Sequence, residues 1–146
     1  MNEFTKALLE QAKNGSMGKD VQMPPPAIKG LEPTFLEYVP GKSIKVSFPV
    51  KESYNNPFGI TFGGYLGMFF DTAFGPFSGL TAGKPTTSLD MNIAFLKPLS
   101  PKDGEVIIDV EVVSLSKSYL ILHAKAYSGR GVLVSTATTR MLILNR

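Results

Sequence analysis

Apolar and polar residues alternate in two registers along this chain. Ile44, Val46 and Phe48 alternate with Ser43, Lys45 and Ser47, the period of a half-buried strand. With Thr34 to Val39 this makes a hairpin around Pro40-Gly41, its second strand running Ser43 to Val50. The loop Lys51 to Thr61 then leads into an apolar stretch of helical length, ending near Thr81 and kinked or broken at Pro76. Four more strands follow. Thr87, Leu89, Met91, Ile93 and Phe95 alternate with Ser88, Asp90, Asn92 and Ala94. Val106 to Val112 repeats the pattern. Tyr119 to Tyr127 follows a turn at Ser116-Lys117, and Val132 to Leu144 follows the Ser128 to Gly131 turn.

Two strands, one long helix and four strands predict an α+β fold, an antiparallel six-stranded sheet curled around one helix. Ahead of it, Asn2 can cap a short helix through Lys13 that presents Phe4, Ala7, Leu8 and Gln11 on one face and stops at Asn14-Gly15. Gly15 to Pro33 reads as a linker, with Pro24-Pro25-Pro26 forcing extended backbone. The chain therefore divides into an N-terminal helix and Pro-rich segment, 1–33, and a single domain, 34–146. A sheet of this kind leaves an edge strand open, so a homodimer or a dimer of dimers is expected.

The helix carries the candidate chemistry. Residues Asn56 to Asp71 read Asn-Pro-Phe-Gly-Ile-Thr-Phe-Gly-Gly-Tyr-Leu-Gly-Met-Phe-Phe-Asp. The Gly63-Gly64 pair leaves free N–H groups at a helix start, where the dipole is positive. Asp71 lies in the apolar interior two turns on, and burying a carboxylate there costs several kcal/mol unless it is paired or used. Its helical neighbours Gly67, Met68, Gly75 and Ser78 include no base, and they leave room for a ligand. A donor pair and an acid are parts from which ester or thioester hydrolysis can be built.

Composition narrows this further. With 146 residues, 43% of them hydrophobic, the chain can bury one core. The absence of cysteine removes disulfides and thiol nucleophiles, and a single histidine, His123, removes multi-histidine metal sites. His123 falls on the face opposite Leu120, Leu122 and Ala124 and is expected to point outward. A net charge of +3, with Lys and Arg scattered, argues against nucleic acid as partner and suits an anionic small ligand. Tyr65 to Ala82 approaches membrane-spanning length but holds Asp71, Pro76 and several glycines, so it reads as a core helix of a soluble cytoplasmic protein.

Taken together, Asn56-Pro-Phe-Gly59-Ile-Thr-Phe-Gly63-Gly64, Phe70-Asp71-Thr-Ala, Ser88 to Pro98 and Gly104 resemble the hotdog-fold acyl-CoA thioesterases, nearest the phenylacetic-acid-degradation type. The resemblance spans Ser43 to Leu144 and implies the hotdog fold and hydrolysis of an acyl-CoA without a cofactor beyond the coenzyme A of the substrate. It implies that Asp71 is nucleophile or general base, that Gly63 and Gly64 N–H polarise the thioester carbonyl, that Asn56 orients substrate or water, and that Ser88 helps hold the water. The family places His before its Gly-Gly; here Phe62 stands there and would line an acyl pocket. Lys117 and Arg130, in turns, are candidates for the CoA phosphates. Alternatives are Asp71 in a structural ion pair, and a non-catalytic acyl-CoA-binding or structural oligomer. A hydratase of the same fold would pair its acid with a His, and none lies near this helix.

Overall fold

A computed structural model describes residues 2–14, 22 and 24–145. Its elements are helices α1 (Glu3–Lys13) and α2 (Pro26–Lys29), strands β1 (Thr34–Val39) and β2 (Ser43–Pro49), helix α3 (Gly63–Ala82), and strands β3 (Thr86–Phe95), β4 (Glu105–Leu115), β5 (Tyr119–Ser128) and β6 (Leu133–Ile143). The strands form one sheet in the order β1-β2-β4-β5-β6-β3, antiparallel throughout. The sheet packs its apolar face on α3, which is the hotdog arrangement that the resemblance implies.

The core follows from the alternation. Ile44, Val46 and Phe48 of β2 and Val106, Ile108 and Val110 of β4 point inward, and all are buried. They meet Leu66, Phe69, Phe70, Ala73, Phe74 and Phe77 of α3. Phe48 stacks on Phe69 with ring centroids 4.8 Å apart. Pro76 lies inside α3 without ending it, because the helix runs unbroken to Ala82. It stops at Gly83, whose φ of +67° is the left-handed conformation in which glycine meets no Cβ penalty.

The N-terminal helix belongs to this core. Asn2 caps α1 as expected, its Oδ1 accepting from Thr5 N–H at 2.9 Å, while its Nδ2 donates to Phe35 O of β1 at 2.8 Å. Phe4 and Leu8 are buried, and the Phe4 ring lies 4.4 Å from Phe35. Gln11 Nε2 donates to Gly79 O of α3 at 2.9 Å. The expected stop at Asn14-Gly15 falls partly outside the described residues, Asn14 being a turn. The triple proline is not uniformly extended. Pro25 is, with ψ of 138°, but Pro26 opens α2, since a proline at the first helical position gives up no hydrogen bond.

Beyond α2, Lys51 Nζ donates to Gly30 O at 2.7 Å and pairs with Glu32 at 3.1 Å, fastening the N-terminal segment to the loop before α3. No described helix is long and apolar enough to cross a membrane.

Candidate functional site

The loop before α3 closes on itself. Asn56 N–H donates to Ile60 O at 2.7 Å, Gly59 N–H donates to Asn56 O at 3.1 Å, and Asn55 bridges to Thr61. Gly59 makes the turn possible, with φ of +75°. The side chain of Asn56 works within this loop: its Oδ1 accepts from Phe58 N–H at 2.9 Å and Ile60 N–H at 3.1 Å. That is a turn stabilised by an Asn side chain. Only the Nδ2 amide is left to face a substrate. Phe58, at the tip, is 86% exposed.

The same loop delivers the start of α3. Thr61 N–H donates to Leu99 O at 2.8 Å and Phe62 N–H to Tyr54 O at 2.9 Å, while the Tyr54 ring stacks on Tyr65 at 4.2 Å. Phe62 occupies the capping position, where an apolar side chain supplies no acceptor. Tyr65 N–H turns back to Phe62 O at 3.0 Å. Among the described residues, Gly63 and Gly64 N–H find no acceptor outside the helix. They form the donor pair expected from the Gly-Gly sequence, at the positive end of a 20-residue helix. Beside them, Asn55 Oδ1 and Thr61 Oγ1 are buried without a hydrogen-bond partner. Neither was singled out in the sequence, since a Thr or Asn in a loop is ordinary there.

Asp71 departs from expectation. It is exposed, not buried in an apolar helix. The sheet covers only one side of α3, and the other carries an open stripe of Gly64, Met68 and Asp71, with Gly67 and Gly75 half-buried along it. Among the described residues Asp71 has no ion pair or hydrogen bond, so no described Lys or Arg supplies the structural ion pair of the alternative reading. The small residues beside it do leave room, as the sequence implies.

The candidate residues fall into two groups along α3. Asn56, Phe62, Gly63 and Gly64 gather at its start. Asp71 is eight residues further, about 12 Å along the axis at 1.5 Å per residue. The free N–H groups point off the opposite end of the helix, so a carbonyl held by them lies roughly 3 Å further from Asp71 still. Ser88 lies at the other end of β3 from Phe95, seven residues or about 23 Å away, and its hydroxyl donates to Met141 Sδ at 3.4 Å. Arg130, in the β5–β6 turn, pairs with Asp103 at 3.7 Å and donates to Lys102 O at 3.3 Å. Lys117, in the β4–β5 turn, sits a whole strand away from Arg130. The two cannot hold one phosphate within a single chain. His123 points outward as expected and contacts Thr138 Oγ1 through Nδ1 at 3.0 Å.

A further side chain at the donor end carries no sequence signal beyond the strand alternation. Phe95 lies across Gly63: a Cβ built on Gly63 would stand 2.9 Å from two atoms of its ring. With Phe58, Phe62, Leu89 and Leu96 it makes up much of the exposed apolar surface near α3 and the β3 edge.

Residues 58–135 match the family model described as the thioesterase superfamily. Among curated protein sequences nothing matches. Solved structures superpose closely. The PaaI protein of the phenylacetic acid degradation operon of E. coli gives a TM-score of 0.81 at 16% identity, covering 98% of this chain and 97% of its own. A point mutant of the phenylacetic acid degradation protein PaaI from Thermus thermophilus gives 0.74 at 26% identity, covering 82% and 100%. A phenylacetic acid degradation-related protein from Ralstonia eutropha gives 0.76 at 22%, covering 97% and 100%.

Proposed function

The chain belongs to the thioesterase superfamily, and from that premise we propose that it hydrolyses an acyl-CoA to the free acid and coenzyme A at a site shared between two copies. The observation that carries this reading is the uncapped N–H pair of Gly63 and Gly64, together with an acid that no described residue of its own chain engages. The thioester carbonyl oxygen accepts from that pair, which stabilises the negative charge it gains as the carbon becomes tetrahedral. Asp71 then takes a proton from water while the water oxygen attacks the carbonyl carbon. The C–S bond breaks, and coenzyme A leaves as the thiol with a proton from the acid. Direct attack by the carboxylate, giving an anhydride that water opens, uses the same groups. Either route needs only side chains, backbone and water.

Geometry argues for two copies. Attack needs the reacting atoms about 3–3.5 Å apart, whereas the Asp71 of the same chain lies behind the donor pair. A second copy running antiparallel along the open stripe would bring its Asp71 to the first copy's donor end. The edge strand β3, ten residues long, pairs with β6 on one side and with no described strand on the other, and the exposed apolar surface beside it favours cover. Asn56 Nδ2 would orient the substrate and Ser88 the water. Phe62, 52% exposed, would line the acyl pocket. Arg130 and Lys117 are proposed for the CoA phosphates, one from the turn at each end of β5.

The test is release of free thiol from a panel of acyl-CoA esters. Wild type should turn over at least one ester, and Asp71→Asn should lose about 10²–10⁴-fold, as removal of a general base does. Turnover within about twofold of wild type would rule out Asp71 as base or nucleophile. Light scattering should report more than one copy. Subunits of Asp71→Asn and Asn56→Ala, refolded together, should regain about a quarter of full activity through mixed dimers with one intact site. The apolar residue at position 62 favours one other reading, a binder that has lost its chemistry. It predicts no turnover by wild type and a gain across the panel in Phe62→His.

A further inference from the structure

Phe95 differs from the other phenylalanines around α3. Phe69, Phe70, Phe74 and Phe77 are fully buried, whereas Phe95 is 60% exposed. Its backbone is held firmly. Phe95 pairs with Ser135 in the β3–β6 ladder, and the next two N–H groups, of Leu96 and Lys97, both donate to Val134 O, at 2.9 and 3.1 Å. The ring is therefore delivered from a fixed point but has few neighbours to lock its rotamer. It rests against the first residue of α3, close enough that a Cβ at Gly63 would stand 2.9 Å from Cε1 and Cζ. At Gly64 a Cβ would meet no atom of the described residues within 4 Å. One side of the donor pair is thus walled by an aromatic ring and the other is open.

We propose that Phe95 is a specificity-determining residue, a movable wall whose ring decides which acyl groups can bring their carbonyl to Gly63 and Gly64 N–H. This rests on the thioesterase reading of the same site. A carbonyl oxygen bonded to the pair stands about 3 Å from the nitrogens. The first acyl carbon then lies one bond beyond the carbonyl carbon, within reach of the ring. A straight chain can lie flat against that ring and bury apolar surface. A branch on the first carbon needs volume that the ring fills, so the ring must swing aside and leave its contact with Gly63. The sequence hides this pairing, because Gly63 and Phe95 are far apart in the chain and the strand pattern marks Phe95 only as one more alternating residue.

The experiment compares kcat/KM for straight-chain acyl-CoA esters from acetyl to dodecanoyl with that for the 2-methyl analogue of the best of them. Wild type should prefer the straight chain. Phe95→Ala should narrow or reverse that preference by about 10-fold, within the range of a hydrophobic pocket change. Phe95→Leu, which keeps apolar volume at the strand edge, should fall between the two. If both variants change all esters by the same factor, or leave the preference unmoved, Phe95 does not set specificity and the proposal fails while the thioesterase reading stands. If wild type hydrolyses no ester, the reading itself fails and the proposal falls with it.

Discussion

The two sides of α3 are built from different material. The side against the sheet carries Phe69, Phe70, Phe74 and Phe77, none of them exposed. The other carries Gly64, Gly67, Met68, Asp71 and Gly75. Both sides read as apolar in the sequence, because glycine interrupts hydrophobicity without adding charge. They differ in volume. Large rings fill the space inside the curled sheet at crystal-like density, while small residues on the open side allow another surface to approach the helix backbone closely. The only charge on the helix stands in the middle of that small-residue stripe, which suits a group that is used rather than packed.

The widest gap between the two sides should appear in stability. Phe74 is fully buried, with its ring 6.1 Å from that of Phe70. Phe74→Ala should cost about 3–5 kcal/mol, the lost transfer energy plus a cavity. Asp71→Asn, three residues earlier, should leave stability within about 0.5 kcal/mol, as changes at exposed and unpartnered positions do. Urea melts of the two variants check both. Comparable losses would mean that the open side is as tightly engaged within one chain as the covered side.

A smaller effect tests what the glycines are for. In a single chain a Cβ at Gly75 meets no atom of the described residues within 4 Å. On helix propensity alone, Gly75→Ala should stabilise by about 0.8–1 kcal/mol. With a second copy lying on the stripe, the added methyl intrudes on the contact instead. The expected result is weaker association by about 1 kcal/mol, roughly fivefold in the dissociation constant, read by sedimentation at micromolar concentration. A rise in melting temperature with association unchanged would mean that the stripe faces solvent.

Much of this architecture is legible from period alone. The six strands and the long helix sit where alternation places them, because inward residues such as Ile44, Val46 and Phe48 face one covered surface. The free N–H groups at the helix start are legible too, since neither Phe62 nor the two glycines carry a side chain that could cap them. The exposure of Asp71 is not. Phe69, Phe70, Thr72 and Ala73 surround it in sequence, and which sector of a helix a sheet covers depends on how far the sheet curls. Nor is Phe95, whose role arises from a contact between β3 and α3. The break in alternation at β3 has a local cause: its register with β6 shifts between Ser88 and Asp90, which puts Leu89 out of step and leaves it exposed. The helical turn at Pro26 is concealed by its neighbours, since three prolines in a row suggest one extended conformation, whereas the second is extended and the third opens a helix.

The smallest effect compares Asp71 with an acid that its own chain does engage. Asp90, beside the β3 irregularity, accepts from Arg140 Nε at 3.0 Å and Nη2 at 2.7 Å through Oδ2, and from Arg140 N–H at 3.2 Å through Oδ1. The Arg140 hydrogen bonds hold the Asp90 carboxyl below the ordinary carboxylate range. A group whose folded value lies below its unfolded one adds stability above the unfolded value, near pH 4. That contribution disappears as pH falls through the lowered folded value. The pair is exposed, so water and salt screen it and the contribution is small. Asp90→Asn should therefore melt slightly below wild type at pH 7, with the gap closing as pH falls below the ordinary carboxylate value. Added salt at pH 7 should shrink the gap as well. A gap that stays constant from pH 7 to pH 2 would mean that the ionised pair contributes nothing. The β3 edge would then owe its shape to the backbone ladder with β6, and Asp90 would be as free of engagement in its own chain as Asp71.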